Sequence, residues 1–373
     1  MKRRAWWVRD LIFFALFIGG LIAAWWLLEW AAAWWPSMRY YNRIIVMIGI
    51  NITLAVSLNI INGHAGQFSL GHAGFMAIGA YTAAYITVYY FGPYVDKMPD
   101  GSGKVVWQNI LLIVAVMGGA LTSAIAGYLV GLPSLRLRGD YLAIVTLGFG
   151  EIINVLILNI DAIGAARGLT GIPPWSNFFW VFFFAGLTIL ISHRLVQSSV
   201  GRAFLAIRED SIAAESMGVD TTRYKVKAFI IGSCLAGVAG ALYAHYTPAY
   251  LNPTTFTFIR SFEIVVMVVL GGLGSISGSI VTAVLLTFLP EGLRVIKDLI
   301  PAGAPEILKR DPRMVIYSLL LIILMITRPQ GLLGSSDAFK SLRKRLRRAT
   351  EGPSGTASSA TQSETSLGGE NPR

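Results

Sequence analysis

Long apolar runs separated by short polar stretches fill most of the chain, the pattern of helices that each cross a bilayer. The runs fall at Leu11–Leu28, Ile44–Ile61, Trp107–Gly131, Tyr141–Ile160, Asn177–Leu195, Ala228–Tyr246 and Met314–Ile326, and the second is followed by a segment rich in small residues, Asn62–Val88. Between Phe262 and Leu289 the glycines at 271, 272, 274 and 278 divide the apolar sequence into two halves of about 14 residues. Each half is short for a full crossing, so tilted helices and a re-entrant pair both fit. The pattern predicts an all-α integral membrane protein: a polytopic bundle of about 8–10 transmembrane helices, with broken or re-entrant helices among them.

Composition agrees. Of 373 residues, 54% are hydrophobic and 14% charged, against about 25% charged in ordinary soluble domains. The single cysteine, Cys234, lies in an apolar run, so there is neither a disulfide framework nor a cysteine metal cage. The net charge of +11 would suggest nucleic acid in a soluble protein, but the basic residues fall in loops and ends, where topology accounts for them. Lys2, Arg3, Arg4 and Arg9 precede the first run. A signal peptide begins similarly, but this run is longer than the usual core of about 7–15 residues and carries Trp25 and Trp26 near its end, as an interfacial belt does. Residues 1–43 therefore read as a basic segment and an extra spanning helix. Residues 334–373 read as a tail, basic from Lys340 to Arg348 and then rich in Ser, Thr and Gly, expected to be disordered. Ten crossings would put both ends and the polar stretch Gly201–Lys227 on the side with about twenty Lys/Arg, leaving about eleven on the other. That side is expected to be the cytoplasm.

Three motifs invite chemistry. The repeat Gly63-His64-Ala65-Gly66 and Gly71-His72-Ala73-Gly74 holds two histidines, but no carboxylate or cysteine keeps ligand spacing with them, and no metal site is expected. Small residues at this spacing let helices approach closely, and around Ser69, Gly71 and His72 they allow a helix to break or re-enter near a permeation path. The string Gly101-Ser102-Gly103-Lys104, in a loop expected from Phe91 to Val106, imitates a phosphate loop. Met98 stands at the first glycine position and Val105 replaces the Ser or Thr, so no nucleotide site is encoded. Glu151 falls near the middle of the run Tyr141–Ile160, where a carboxylate costs a few kcal/mol unless it meets a helix interface or water. Two roles are open for it: gating or lining the path, or a structural hydrogen bond to Asn154 or a neighbouring helix.

The polar stretch Gly201–Lys227 is built to be gripped. Asp210 or Ser211 can cap a helix start, and Gly218 can stop it in the left-handed conformation. The two turns between them need a packing partner. Ala213 and Ala214 leave backbone bare, while Ile212 and Met217 supply apolar contacts. The spacing Ala213-Ala214, three residues, Gly218 resembles the cytoplasmic loop signature of ABC-importer permeases, with Ile212 where the signature has Glu. GQFSLGHAGFMAIGAYTAA, PSLRLRGDYLAIVTLGFGEI, SFEIVVMVVLGGLGSISGSI and the closing RPQGL are similar to the branched-chain amino acid ABC permease family, in particular its LivM-type subunits. The likeness covers roughly residues 44–333.

The resemblance implies a non-enzymatic transport subunit in the bacterial inner membrane. It would pair with a LivH-type permease, contact two ABC ATPases that carry ATP and Mg, and receive substrate from a periplasmic binding protein. Arg208, Glu209, Ile212, Ala213, Ala214, Glu215, Met217 and Gly218 would form the ATPase contact. Branched-chain amino acids are the expected substrate; relatives for urea, amides or aromatic acids share the architecture. An ion-coupled transporter using Glu151 is the other class to weigh.

Overall fold

A computed structural model describes residues 19–28, 30, 34, 38–99, 101–134, 140–246, 249–298, 319, 322 and 323. Helix α1 (Gly19–Leu28) is the described part of the first apolar run. Helix α2 (Met38–Asn59) continues through a π-helical turn to His64. A non-helical stretch, Ala65–Gly71, separates it from α3 (His72–Tyr85). A second π-helical turn (Ile86–Phe91) leads to the short α4 (Gly92–Asp96). The chain continues through α5 (Ser102–Ser134), α6 (Asp140–Asn159), α7 (Phe178–Gln197), α8 (Ser199–Glu209), α9 (Ser211–Ser216) and α10 (Thr221–Tyr246). It then breaks between α11 (Phe258–Gly271) and α12 (Ile276–Asp298). The protein is an all-α, polytopic membrane protein. Among the described residues five helices, α2, α5, α6, α7 and α10, are long and apolar enough to cross a bilayer.

Burial separates centre from rim. The apolar windows of α2 and α10 are 83% and 72% buried, against 28% for α7, which shows its apolar surface outward. Helix α3 is buried on nearly all sides between α10, α5 and α6, as expected of a helix without a polar face. Lipid is as apolar as leucine, so burial alone does not hold such helices together; close packing and interhelical hydrogen bonds do. Gly79 of α3, Gly119 of α5 and Gly237 of α10 meet at one point. A methyl group on Gly119 would lie 2.6 Å from the Gly79 carbonyl oxygen, and one on Gly79 would enter the Gly237 backbone. Ser123 of α5 donates to the Phe75 carbonyl at 2.9 Å, and Thr122 donates to Thr82 at 3.1 Å.

Several boundaries differ from the sequence expectation. The loop expected from Phe91 to Val106 is mostly helical: α4 occupies its start, and Ser102 opens α5 so that Lys104 lies in a first turn. The Gly/Pro-rich stretch Gly168–Trp175, which reads in the sequence as a loop, contains a strand, Leu169–Ile172, paired antiparallel with Ala249–Leu251 through Leu169–Leu251 and Thr170–Tyr250. Long-range backbone pairing of this kind leaves no periodic trace in four residues. The Phe262–Leu289 segment is a helix–break–helix pair that starts four residues early, at Phe258. Arg136 and Arg138, most of the expected span Met314–Ile326 and the whole tail from 334 lie outside the described residues.

The three-glycine contact supports a direct test. Gly237→Ala should lower resistance to SDS denaturation, followed by helix content, by roughly 1–3 kcal/mol through overpacking. Gly148→Ala, where a methyl group meets nothing within 4 Å, should be neutral or stabilising by up to about 1 kcal/mol.

Candidate functional site

The polar stretch folds as two short helices against one end of the bundle. Ser198 caps α8 by accepting from the Gly201 amide at 3.3 Å. One face of α8, formed by Gly201, Phe204 and Ile207, is buried. Phe204 packs with Ile60, Ala65 and Ala228, and edge-on to Tyr224 at 6.4 Å. Asp210 then caps α9: its Oδ1 accepts from the amides of Ile212 (2.8 Å) and Ala213 (3.1 Å). Gly218 ends the turn at φ +83°, its amide donating to the Glu215 carbonyl at 2.9 Å. Of the two cap candidates it is Asp210 that serves.

The expected contact residues divide into two groups. Ile212 and Met217 are 64% and 84% exposed, a large apolar display on an otherwise polar loop. Glu209, Ala213, Glu215 and Gly218 are also exposed. Ala214 is not: it is buried, and its carbonyl accepts from Val219. The expectation that Ala214 offers bare backbone to a partner is corrected, because the tight turn folds back over it. Arg208 is exposed like its neighbours, but its side chain also reaches the bundle. Its Nη1 donates to the Gly63 carbonyl at 2.9 Å, its aliphatic stem covers Gly66, and its guanidinium lies against Gly274.

Arg208 thereby joins both helix breaks. The Asn59 side chain accepts from the Gly274 amide at 2.9 Å. Asn62 exchanges two bonds with the Ser69 backbone, accepting from its amide at 3.1 Å and donating to its carbonyl at 3.3 Å. Thr146 of α6 accepts from the Leu70 amide at 3.1 Å, and Ser261 of α11 accepts from the Ala73 amide at 3.0 Å. His72 is fully buried and bonds to Ser57 at 2.8 Å through Nε2; His64 bonds the Asn59 carbonyl at 3.0 Å. Gly71 abuts the Thr146 carbonyl, where a methyl group has no room. Ser69, Gly71 and His72 are thus brought together at the first break, all buried. The Asn59 Nδ2, both polar atoms of the Gln67 side chain, Ser69 Oγ and His72 Nδ1 are buried without a hydrogen-bond partner. The break holds more donors and acceptors than this arrangement pairs.

Glu151 accepts from the Phe258 amide at 3.0 Å. It fills one of the unpaired amide positions at the start of α11, where a helix favours negative charge. It does not bond Asn154, whose Oδ1 is buried and unpaired. The structural hydrogen bond expected of Glu151 is thus made to a neighbouring helix, α11.

Sequence reasoning missed a second polar cluster. Arg260 of α11 donates to Glu263 at 2.8 Å and to Asn51 of α2 at 2.5 Å; Asn51 donates to Thr287 of α12 at 2.7 Å. These residues border a cavity of about 430 Å³ between α2, α11 and α12. The signal was present as Arg260 and Glu263 at i, i+3 beside an apolar run.

Buried spanning helices and two broken helices tied at one end, beside the capped α8–α9 loop, are the features of a membrane transport subunit; among the described residues no group of three or more His, Cys, Asp or Glu could hold a metal ion. The sequence profile of the family described as the permease component of the branched-chain amino acid transport system matches residues 40–326, and the chain belongs to that family. It is 37% identical over 336 residues to the high-affinity branched-chain amino acid transport system permease protein LivM of Salmonella typhimurium strain LT2, covering 80% of this chain and 72% of that one. It is 28% identical over 277 residues to the probable LivM of Methanocaldococcus jannaschii, covering 65% and 78%. A 164-residue stretch is 29% identical to the permease protein LivH of Escherichia coli K12, covering 43% and 48%. No solved structure matches the chain.

The Arg208 contact makes a stability expectation. Arg208→Leu leaves the Gly63 carbonyl without its donor and should lower the unfolding free energy in detergent by about 1–3 kcal/mol. Arg208→Lys retains a charged donor and should lose less.

Proposed function

We propose that this chain is the transmembrane subunit of an ATP-driven importer of branched-chain amino acids, seated in the bacterial inner membrane with the α8–α9 loop in the cytoplasm. A LivH-type permease completes the pathway. Two ATPases bearing ATP and Mg grip the loops, and a periplasmic binding protein delivers substrate. The observation that carries the reading is the display of Ile212 and Met217 on a loop fixed at both ends by Asp210 and Gly218. Exposed apolar side chains on a rigid polar element mark a protein contact.

Arg208 gives that contact a mechanical consequence. A ligand shifts a conformational equilibrium only through different affinities for the two states. An ATPase that holds α9 in different positions when open and closed pulls on α8, and through Arg208 on Gly63 and Gly274. Both broken helices then respond to one input. Glu151, committed to the Phe258 amide, accounts for its charge without an ion gradient.

The test is on the exposed face of α9. Ala213→Arg or Met217→Asp should leave insertion and folding intact but weaken ATPase co-purification. Loss of a central interface contact is worth about 2 kcal/mol, roughly thirtyfold in affinity. Leucine uptake into vesicles should fall with it, and Thr222→Ala, exposed beyond the loop, should change neither. Unchanged co-purification and uptake in both loop variants would mean the loop is only solvated.

A further inference from the structure

The cavity between α2, α11 and α12 carries chemistry that the docking loop does not use. Its walls are one stripe from each helix: Arg43, Met47 and Asn51; Arg260, Glu263 and Met267; Leu286, Thr287 and Glu291. Asn51 lies in the middle of the span Tyr40–His64, and Arg260 bonds it at 2.5 Å, so the guanidinium sits at membrane depth. Charged side chains there face a bundle interior or water, not lipid. The Arg260 side chain is 14% exposed, and that of Glu263 is 40% exposed towards the cavity. Glu291 accepts from Tyr40 at the outer end. Arg43 is exposed at the cavity wall and close enough to the Tyr246 phenol to interact with it electrostatically.

Two arginines and two glutamates sum to zero charge, and Met47, Met267 and Leu286 share the lining with them. That mixture matches a ligand with one carboxylate, one ammonium and an aliphatic side chain. The volume, about 430 Å³, lies within the range of small-molecule pockets, roughly 300–1,000 Å³. We propose that this cavity is a transit site for the zwitterionic amino acid. Arg43 receives the carboxylate, the open face of Glu263 receives the ammonium, and the two methionines and Leu286 hold the aliphatic chain. The proposal rests on the importer reading and adds where this subunit touches substrate.

Geometry also explains how such a site would release its load. Helices α11 and α12 supply two of its three walls and are joined at the break that carries Gly274. The Gly274 amide is bonded by Asn59, and the Arg208 guanidinium packs beside it. Movement of α8 at one end of the bundle therefore reaches the walls of a cavity that lies toward the other. In the orientation proposed above, that is the periplasmic half, where substrate arrives.

The test uses the assembled transporter with both permeases, the ATPases and the binding protein, in proteoliposomes. Met47→Cys, at the half-buried methionine of the lining, is made on a Cys234→Ser background. A charged, membrane-impermeant methanethiosulfonate should label position 47, and labelled transporter should lose about tenfold or more of its leucine uptake, equivalent to about 1.4 kcal/mol. Leucine with ATP should slow labelling, and a sugar should not. Glu263→Gln should reduce uptake by a similar factor while co-purification of the second permease stays at wild type. Labelling only by a lipid-soluble maleimide would make the cavity lipid-facing. No labelling, with loss of the second permease in Glu263→Gln, would make it a subunit interface. Either result overturns the proposal while leaving the importer reading intact. A wild-type assembly that takes up no leucine overturns both.

Discussion

Within a membrane, a backbone amide or carbonyl released from a helix has no water to turn to, and each one left unpaired costs several kcal/mol. This chain interrupts its helices twice, at Ala65–Gly71 and at Gly272–Ser275, and the rest of the structure answers that cost. Asn62 closes Ser69, Thr146 closes Leu70, Ser261 closes Ala73, Asn59 closes Gly274 and Arg208 closes Gly63. The partners come from α2, α6, α8 and α11, so satisfying the breaks also fixes how those helices pack. Within the second break the chain helps itself, with the Ser275 amide donating to Gly272 and the Ser275 hydroxyl accepting from Gly278.

One of these partners differs from the others. Asn59, Asn62, Thr146 and Ser261 belong to long helices, whereas Arg208 belongs to the end of α8, next to the loop that displays Ile212 and Met217. A surface element is thus wired to the interior by a single charged hydrogen bond at 2.9 Å, supported by the packing of the Arg208 stem on Gly66. Buried donors and acceptors at the same place stay unpaired, among them Asn59 Nδ2 and the Gln67 side chain.

Much of the architecture was legible in the chain. Spanning helices follow from apolar length, and α5, α6, α7 and α10 begin and end within a few residues of the expected runs apart from extensions at α5 and α10. The cap and stop around α9 follow from Asp210 and Gly218, since both act on neighbouring residues. What failed to show was long-range. The turn that buries Ala214, the ribbon joining residues 169–172 to 249–251, and the inward reach of Arg208 each depend on residues distant in sequence or on a fold-back that periodicity cannot report. The Asn51–Arg260 pair was hidden for the same reason: 209 positions separate its members.

The central claim is that side chains seal the broken backbone. Hydrogen–deuterium exchange on the folded protein in lipid nanodiscs, resolved to peptides covering 66–75 and 270–276, tests it most directly. Sealed breaks should exchange as slowly as the flanking parts of α2 and α3. Exchange as fast as the exposed turn at Gly218–Asp220 would mean that water, not Asn59, Asn62, Thr146 and Ser261, satisfies these amides, which would contradict the claim.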